Sequence, residues 1–131
     1  MMSLLKHLMI NWWRVKDNIG KTGEALASGY LKRQGYEILE RNYKTKIGEI
    51  DIVARDGKAL VFVEVKTRQS DLYGLPEEAI NAKKMRKLTQ LAELYIKRKH
   101  LYQTEARFDV VGILMDCGNG SKSIRLTKNA F

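Results

Sequence analysis

The apolar run LVFVEV at residues 60–65 restricts the fold more than any other part of the sequence. Its length and its β-branched and aromatic residues are typical of a strand that is buried on both faces of a sheet. The pair Asp56-Gly57 precedes the run, and Asp-Gly between apolar segments predicts a tight hairpin because both residues tolerate a positive φ. A second strand is therefore expected immediately before the turn, antiparallel to the first.

Periodicity in the rest of the chain predicts helices on either side of this hairpin. The expected elements, in chain order, are a helix from Gly20 to Gln34 that ends at Gly35, strands Tyr36 to Tyr43, Gly48 to Ala54 and Ala59 to Thr67, a helix from Pro76 to about Lys99, and strands Arg107 to Met115 and Ile124 to Thr127. A turn-rich segment at residues 117–120 joins the last two strands. This order predicts an α/β fold in which helices flank a mixed β-sheet.

The length and composition favour one globular domain. A chain of 131 residues can bury a sizeable core but is too short for two domains of ordinary size. We expect the domain to span residues 20–131, preceded by an N-terminal amphipathic helical extension at residues 1–19. The single cysteine, Cys117, cannot form an intramolecular disulfide, which favours a reducing, cytoplasmic location.

The N-terminal extension carries Trp12 and Trp13 in a mostly apolar stretch with helical spacing. A membrane span needs roughly 20 apolar residues. Because Lys6, Asn11 and Arg14 interrupt the stretch well short of that length, we expect no transmembrane segment. The helix is expected to pack on the domain or to dock on a partner or a membrane surface, since Trp suits such interfaces.

The net charge of +9, from 24 Lys and Arg against 15 Asp and Glu, favours a polyanionic partner. Charge alone does not distinguish nucleic acid from an anionic membrane, because both attract basic side chains by the same screened electrostatics. The second predicted helix concentrates basic residues, and the expected phosphate-contacting set is Arg68, Lys83, Lys84, Arg86 and Lys87. Such residues bind the nucleic-acid backbone without reading sequence. The alternative is an ordinary solvated helix face.

Glu64 interrupts the apolar run, and an ionised carboxylate in a buried strand needs compensation by a cation. If the hairpin loop is Asp56-Gly57, Arg55 pairs with Lys58. Asp51 then lies diagonal to Glu64, on a strand face that also carries Glu49 and Lys66. An odd change in the loop length would separate the two carboxylates onto opposite faces.

Two carboxylates that share a face can hold one hard divalent cation, so Mg²⁺ or Mn²⁺ is the expected cofactor. Glu24 can supply a third carboxylate, since its helical spacing to Ala27 and Leu31 points it inward.

Each of these acids also has a simpler interpretation. Asp51, Glu64 and Lys66 could form a structural salt bridge, and Glu24 could stabilise the positive end of its helix dipole. Glu49 could be a solvated or Lys-paired strand residue. Asp109 also interrupts an apolar strand, and we expect it to pair with Arg107 on its own face.

Several motifs together resemble the YraN-like family of predicted endonucleases, within the PD-(D/E)XK nuclease superfamily. The matching segments, which span Gly20 to Phe131, are GKTGE at 20–24, GEID at 48–51, VFVEVKTR at 61–68, RFDVV at 107–111 and KNAF at 128–131. Ile50 stands where the superfamily motif has proline. The family is similar in fold to archaeal Holliday-junction resolvases, which implies a restriction-endonuclease-like core and, by analogy, a homodimer.

The resemblance also implies the roles of individual residues. Asp51 and Glu64 would bind the metal with Glu24 and the Val65 carbonyl, while Lys66 would orient the attacking water. The expected function is therefore a metal-dependent endonuclease that hydrolyses phosphodiester bonds in structured or branched DNA. The alternative is a non-catalytic nucleic-acid-binding module that keeps the nuclease-like fold.

Overall fold

A computed structural model describes residues 20–69, 76, 80–115 and 121–131. The elements are helix α1 at residues 20–33, strands β1 (Glu37–Thr45), β2 (Gly48–Asp56) and β3 (Ala59–Arg68), helix α2 (Ala82–Lys99), and strands β4 (Ala106–Met115) and β5 (Lys122–Thr127). The predictions for residues 1–19 and for the turn at 117–120 lie outside the described residues. None of the helices in the described ranges is long and apolar enough to cross a membrane.

The five strands form one mixed sheet in the order β1-β2-β3-β4-β5. Neighbouring strands are antiparallel except β3 and β4, which are parallel because the chain passes through α2 between them. This is an α/β architecture in which helices flank a mixed sheet, consistent with a restriction-endonuclease-like fold. The predicted fold class is confirmed.

Hydrophobic clusters lie on both faces of the sheet, so the central strand is covered on both sides. Ala27 and Leu31 of α1 pack with Val61 and Val63 on one face. Leu88, Leu91 and Tyr95 of α2 pack with Leu60 and Phe62 on the other face. Every residue from Ala59 to Glu64 is buried, which confirms the interpretation of the LVFVEV run.

Helix α1 ends as predicted, but α2 begins later than predicted. Gly35 has φ +92°, the left-handed conformation expected after the end of α1. Helix α2 begins at Ala82 rather than Pro76, because Asn81 has extended backbone and its side chain accepts a hydrogen bond from Lys84 N at 2.9 Å. An Asn cap of this kind satisfies a free N–H group of the first turn, so the cap sets the start of the helix.

The β2–β3 hairpin differs from the predicted register by two residues. Asp56 lies opposite Ala59, so the loop consists of Gly57 and Lys58, and Gly57 takes the positive φ of +59°. Asp56 stays in the strand, where its carboxylate accepts a 2.6 Å hydrogen bond from Arg107. Because the shift is even, β2 and β3 residues that were expected to share a face still do so along the regular ladder, which runs from Ile52 opposite Val63 to Asp56 opposite Ala59.

Candidate metal centre

A cavity of about 270 Å³ lies between the start of β2, the part of α1 around Glu24 and the part of α2 from Lys84 to Leu91. Its walls differ in charge, with acids on one side and basic and apolar residues of α2 on the other. The lining residues are Glu24, Gly48, Glu49, Asp51, Lys84, Lys87, Leu88 and Leu91. The cavity therefore combines groups that can hold a cation with groups that can contact an anion.

Strand β2 departs from regular alternation where it reaches this cavity. Ile52 packs with the α1-side cluster, whereas Ile50, two residues earlier, packs with the α2-side cluster. The ladder between β2 and β3 ends at Ile52 opposite Val63, and beyond it Val65 N donates a 2.8 Å hydrogen bond to Asp51 Oδ2. The expectation that one regular strand face carries the whole site is therefore wrong, because β2 changes its facing at Asp51.

Three carboxylates meet at the cavity. Glu24, Glu49 and Asp51 each offer an oxygen, and these oxygens lie within 4.8 Å of one another. Helix α1 can approach this closely because residue 23 is glycine, since a Cβ there would overlap Thr67 Oγ1. Glu24 and Asp51 were predicted to come together, and Glu49, whose simpler interpretation was a solvated or Lys-paired strand residue, lies in the same group.

Glu64 lies beside this group and is only 4% exposed. Its Oε1 is 3.4 Å from Lys66 Nζ and 3.4 Å from Lys84 Nζ. Its buried Oε2 has no hydrogen-bond partner among the described residues. A buried carboxylate oxygen left in this state is costly, so the site suits an additional cation.

The pKa of Asp51 is raised from its ordinary 3.8 to about 7. Burial is the main cause and the charge of Glu64 adds to it, whereas the Val65 N–H bond opposes the shift. Glu24 raises this pKa further and Lys84 lowers it. A cation bound at this position would favour the ionised carboxylates, which makes the residues present a good fit to a divalent metal.

The basic residues predicted on α2 do not form a single face. Lys84 and Lys87 line the cavity, while Lys83 and Arg86 are exposed to solvent. Arg68 is half-buried at the end of β3. Lys84 was predicted only to contact the phosphate backbone of a nucleic acid. Its helical spacing to Leu88, Leu91 and Tyr95 places it on the buried side of α2. The sequence contained this signal.

Asp109 lies in a different hydrogen-bond network. It is fully buried, accepts a 2.7 Å hydrogen bond from Tyr36 Oη, and accepts another from Arg107 Nε at 3.0 Å. The backbone N–H of Asn129 also donates to it. The predicted pairing with Arg107 is confirmed.

Comparison with models of protein families matches residues 23–113 to the family described as "Uncharacterised protein family UPF0102". The chain belongs to the UPF0102 family. UPF0102 is the YraN-like group that the motifs resemble, so this prediction is confirmed. The matched range contains every acid of the cavity, as well as Glu64 and both lysines that contact it.

UPF0102 proteins of two bacterial genera are similar over most of the chain. One from Clostridium botulinum (strain 657 / Type Ba4) is 48% identical over 115 residues, which is 87% of this chain and 94% of that protein. One from Caldicellulosiruptor saccharolyticus is 47% identical over 116 residues, which is 88% of this chain and 98% of that protein. The similarity therefore extends over nearly the full length of these relatives.

The raised pKa of Asp51 predicts a pH-dependent stability for the metal-free protein. The folded-state pKa of about 7 exceeds the ordinary 3.8, so the folded state binds the extra proton between these values. The contribution of this proton to the free energy of unfolding is fully present below pH 4. It is lost as the pH rises through 7, by on the order of 2–4 kcal/mol. Urea unfolding at a series of pH values in EDTA measures this free energy.

Asp51→Asn is the control for this prediction, because it keeps the shape of the side chain and removes its titration. Between pH 4 and pH 7, we expect the free energy of unfolding to fall much less in the variant than in the wild type. Equal pH dependence in the variant and the wild type would show that other groups are responsible.

Proposed function

We propose that this protein is a divalent-metal-dependent nuclease that hydrolyses phosphodiester bonds in structured or branched DNA, with Mg²⁺ or Mn²⁺ as its cofactor. The observation that carries the proposal is Glu64, a buried carboxylate near Asp51 with one oxygen that has no hydrogen-bond partner in the described part of the chain. Stability alone favours an apolar residue at such a position in a buried strand. A functional requirement for a cation is the simplest reason to keep the charge.

The carboxylates have distinct tasks under this proposal. Asp51 and Glu64 hold the metal, Glu24 completes its oxygen ligands, and the Val65 carbonyl is a further ligand implied by the family resemblance. Glu49, which shares the group with Glu24 and Asp51, adds negative charge that attracts the cation. When bound, the cation lowers the pKa of a coordinated water and stabilises charge on the phosphate.

Lys66 supports the same chemistry from β3. Its ammonium is 3.4 Å from Glu64 Oε1 and its side chain is 32% exposed, so Lys66 is anchored at the site and still reaches solvent. From this position it can orient the attacking water and stabilise charge that develops on the phosphate oxygens.

The size and charge of the cavity favour the backbone of a nucleic acid as the substrate. A volume of about 270 Å³ corresponds to about nine water molecules, at roughly 30 Å³ each. That space suits a hydrated cation and a phosphate. Lys87 on the cavity wall, with Lys83 and Arg86 outside it, would contact neighbouring phosphates.

Cleavage of a substrate panel tests the proposal. Purified protein is incubated with four-way junction, flap, single-stranded and linear duplex DNA, each with Mg²⁺, Mn²⁺ or EDTA. We expect cleavage with either metal, faster on the branched substrates, and none in EDTA. Intact substrates with both metals would contradict the nuclease assignment.

A nucleic-acid-binding protein without turnover is the second candidate, favoured by the exposed basic residues of α2. It predicts tight binding in the same panel without cleavage. Its affinity would fall steeply with salt, by about one power of salt concentration for each phosphate contacted. Filter binding between about 50 and 200 mM salt measures this dependence, and the presence or absence of cleavage in the panel separates the two candidates.

A further inference from the structure

Lys84 contacts the carboxylate of Glu64 and also lines the cavity. Its Nζ is 3.4 Å from Glu64 Oε1, and its side chain also lines the cavity that contains Asp51 and Glu24. The Asn81 cap positions it, because Lys84 N donates to Asn81 Oδ1 in the first turn of α2. Helix α2 therefore contributes a cationic side chain at the centre of the site.

Two ammonium groups neutralise Glu64 in the metal-free protein. Lys66 Nζ and Lys84 Nζ are both 3.4 Å from Glu64 Oε1. A divalent cation held by Glu64 would repel both ammonium groups, because like charges at close range repel. One ammonium would then be repelled from Glu64, and a phosphate would be the natural anion to receive it.

We infer that Lys84 is an internal counter-ion of Glu64 in the metal-free protein and that it moves onto a phosphate oxygen of the substrate when the metal binds. This inference rests on the proposed function and adds a catalytic residue from α2 to it. Before the substrate binds, Lys84 competes with the metal for Glu64. Afterwards it helps the metal to hold the substrate phosphate. Occupation of the metal site and binding of the phosphate are thereby coupled through one side chain.

Lys84, rather than Lys66, is the ammonium that can make this move. Lys84 lines the cavity, whereas Lys66 contacts Glu64 from the same strand and is not among the lining residues. Lys84 is also 38% exposed, and its flexible stem can turn from Glu64 towards the open space without displacing α2. A short rotation thus exchanges a carboxylate partner for a phosphate partner.

Metal affinity in the absence of nucleic acid tests the first half of this inference. Mn²⁺ binding is measured by electron paramagnetic resonance for the wild type, Lys84→Met and Lys97→Met. Removing the competing ammonium should tighten Mn²⁺ binding roughly five- to twentyfold in Lys84→Met. Lys97 is an exposed lysine in the last turn of the same helix, so Lys97→Met controls for general charge removal, and we expect a change of less than about twofold.

The coupling to phosphate tests the second half. Binding of an uncleaved branched DNA is measured with and without Ca²⁺, and the gain in affinity on adding the metal is compared between wild type and Lys84→Met. The gain should shrink at least about threefold in the variant, since one phosphate contact is lost. Lys84→Gln repeats both measurements with a polar side chain, and circular dichroism verifies that each variant is folded.

The outcomes distinguish this inference from the proposed function. If the wild type binds Mn²⁺ and cleaves DNA but Lys84→Met binds Mn²⁺ no more tightly than Lys97→Met, the counter-ion role of Lys84 is refuted and the nuclease assignment stands. An undiminished Ca²⁺ gain refutes the transfer to phosphate. If neither the wild type nor any variant binds Mn²⁺, the proposed function and the inference both fail.

Discussion

Asp51→Asn is expected to lower the rate of metal-dependent DNA cleavage by at least roughly a thousandfold. Asparagine keeps the shape of the side chain and can still accept the hydrogen bond from Val65 N, which is 2.8 Å long in the wild type. It removes the negative charge that would hold the cation beside Glu64. Single-turnover cleavage of the best substrate in the panel, at saturating Mg²⁺, measures the change in the chemical step.

Glu37→Gln is the matched control for this loss, because Glu37 is an exposed acid on β1. It removes the same charge from the protein, and we expect it to leave the cleavage rate unchanged. Asp51→Asn should also remain folded, since neutralising Asp51 relieves repulsion from Glu64 and Glu24. Cleavage at the wild-type rate by a folded Asp51→Asn protein would exclude Asp51 from the reaction.

Asp109→Ala is expected to lower the free energy of unfolding by about 3–5 kcal/mol. Asp109 is fully buried, and its carboxylate accepts hydrogen bonds from Tyr36, Arg107 and Asn129. Alanine would leave the Tyr36 hydroxyl and part of the Arg107 guanidinium without their partner in the interior. Urea unfolding monitored by circular dichroism gives the difference from the wild type.

Asp56→Asn is the comparison variant, because Asp56 contacts the same Arg107 but is 28% exposed. We expect a much smaller loss of stability from it, since solvent screens that pair. Asp109→Ala should retain Mn²⁺ binding under conditions where it is folded. A stable Asp109→Ala protein that has lost Mn²⁺ binding would instead place Asp109 in the metal site.

The fold was largely predictable because its strongest signals are local. The LVFVEV run has the composition of a strand that is buried on both faces, and the structure buries it on both. Gly35 marks the end of α1, where a positive φ is needed. The predicted start of α2 was wrong because Pro76 and Asn81 are both residues that commonly begin a helix. The hydrogen bond accepted by the Asn81 side chain decides between them.

The candidate site was predictable in its residue types but only partly in its geometry. Asp51 and Glu64 stand out because acids are costly in strands that are otherwise apolar. The hairpin register was off by two residues, since Asp56 remains in β2 and contacts Arg107 from a distant strand. Such a long-range pair leaves no periodic signal in the hairpin itself.

The sequence by itself determined the α/β fold, the family and the acids that can bind a metal, because burial patterns and residue types are local properties of the chain. Only the tertiary structure decided which groups meet at the cavity. It brought Glu49 into the group with Glu24 and Asp51. It also placed Lys84, which was predicted only to contact phosphates, beside Glu64. These contacts depend on where β2 changes its facing and on how α1 and α2 pack against the sheet, and such geometry arises only when distant segments come together.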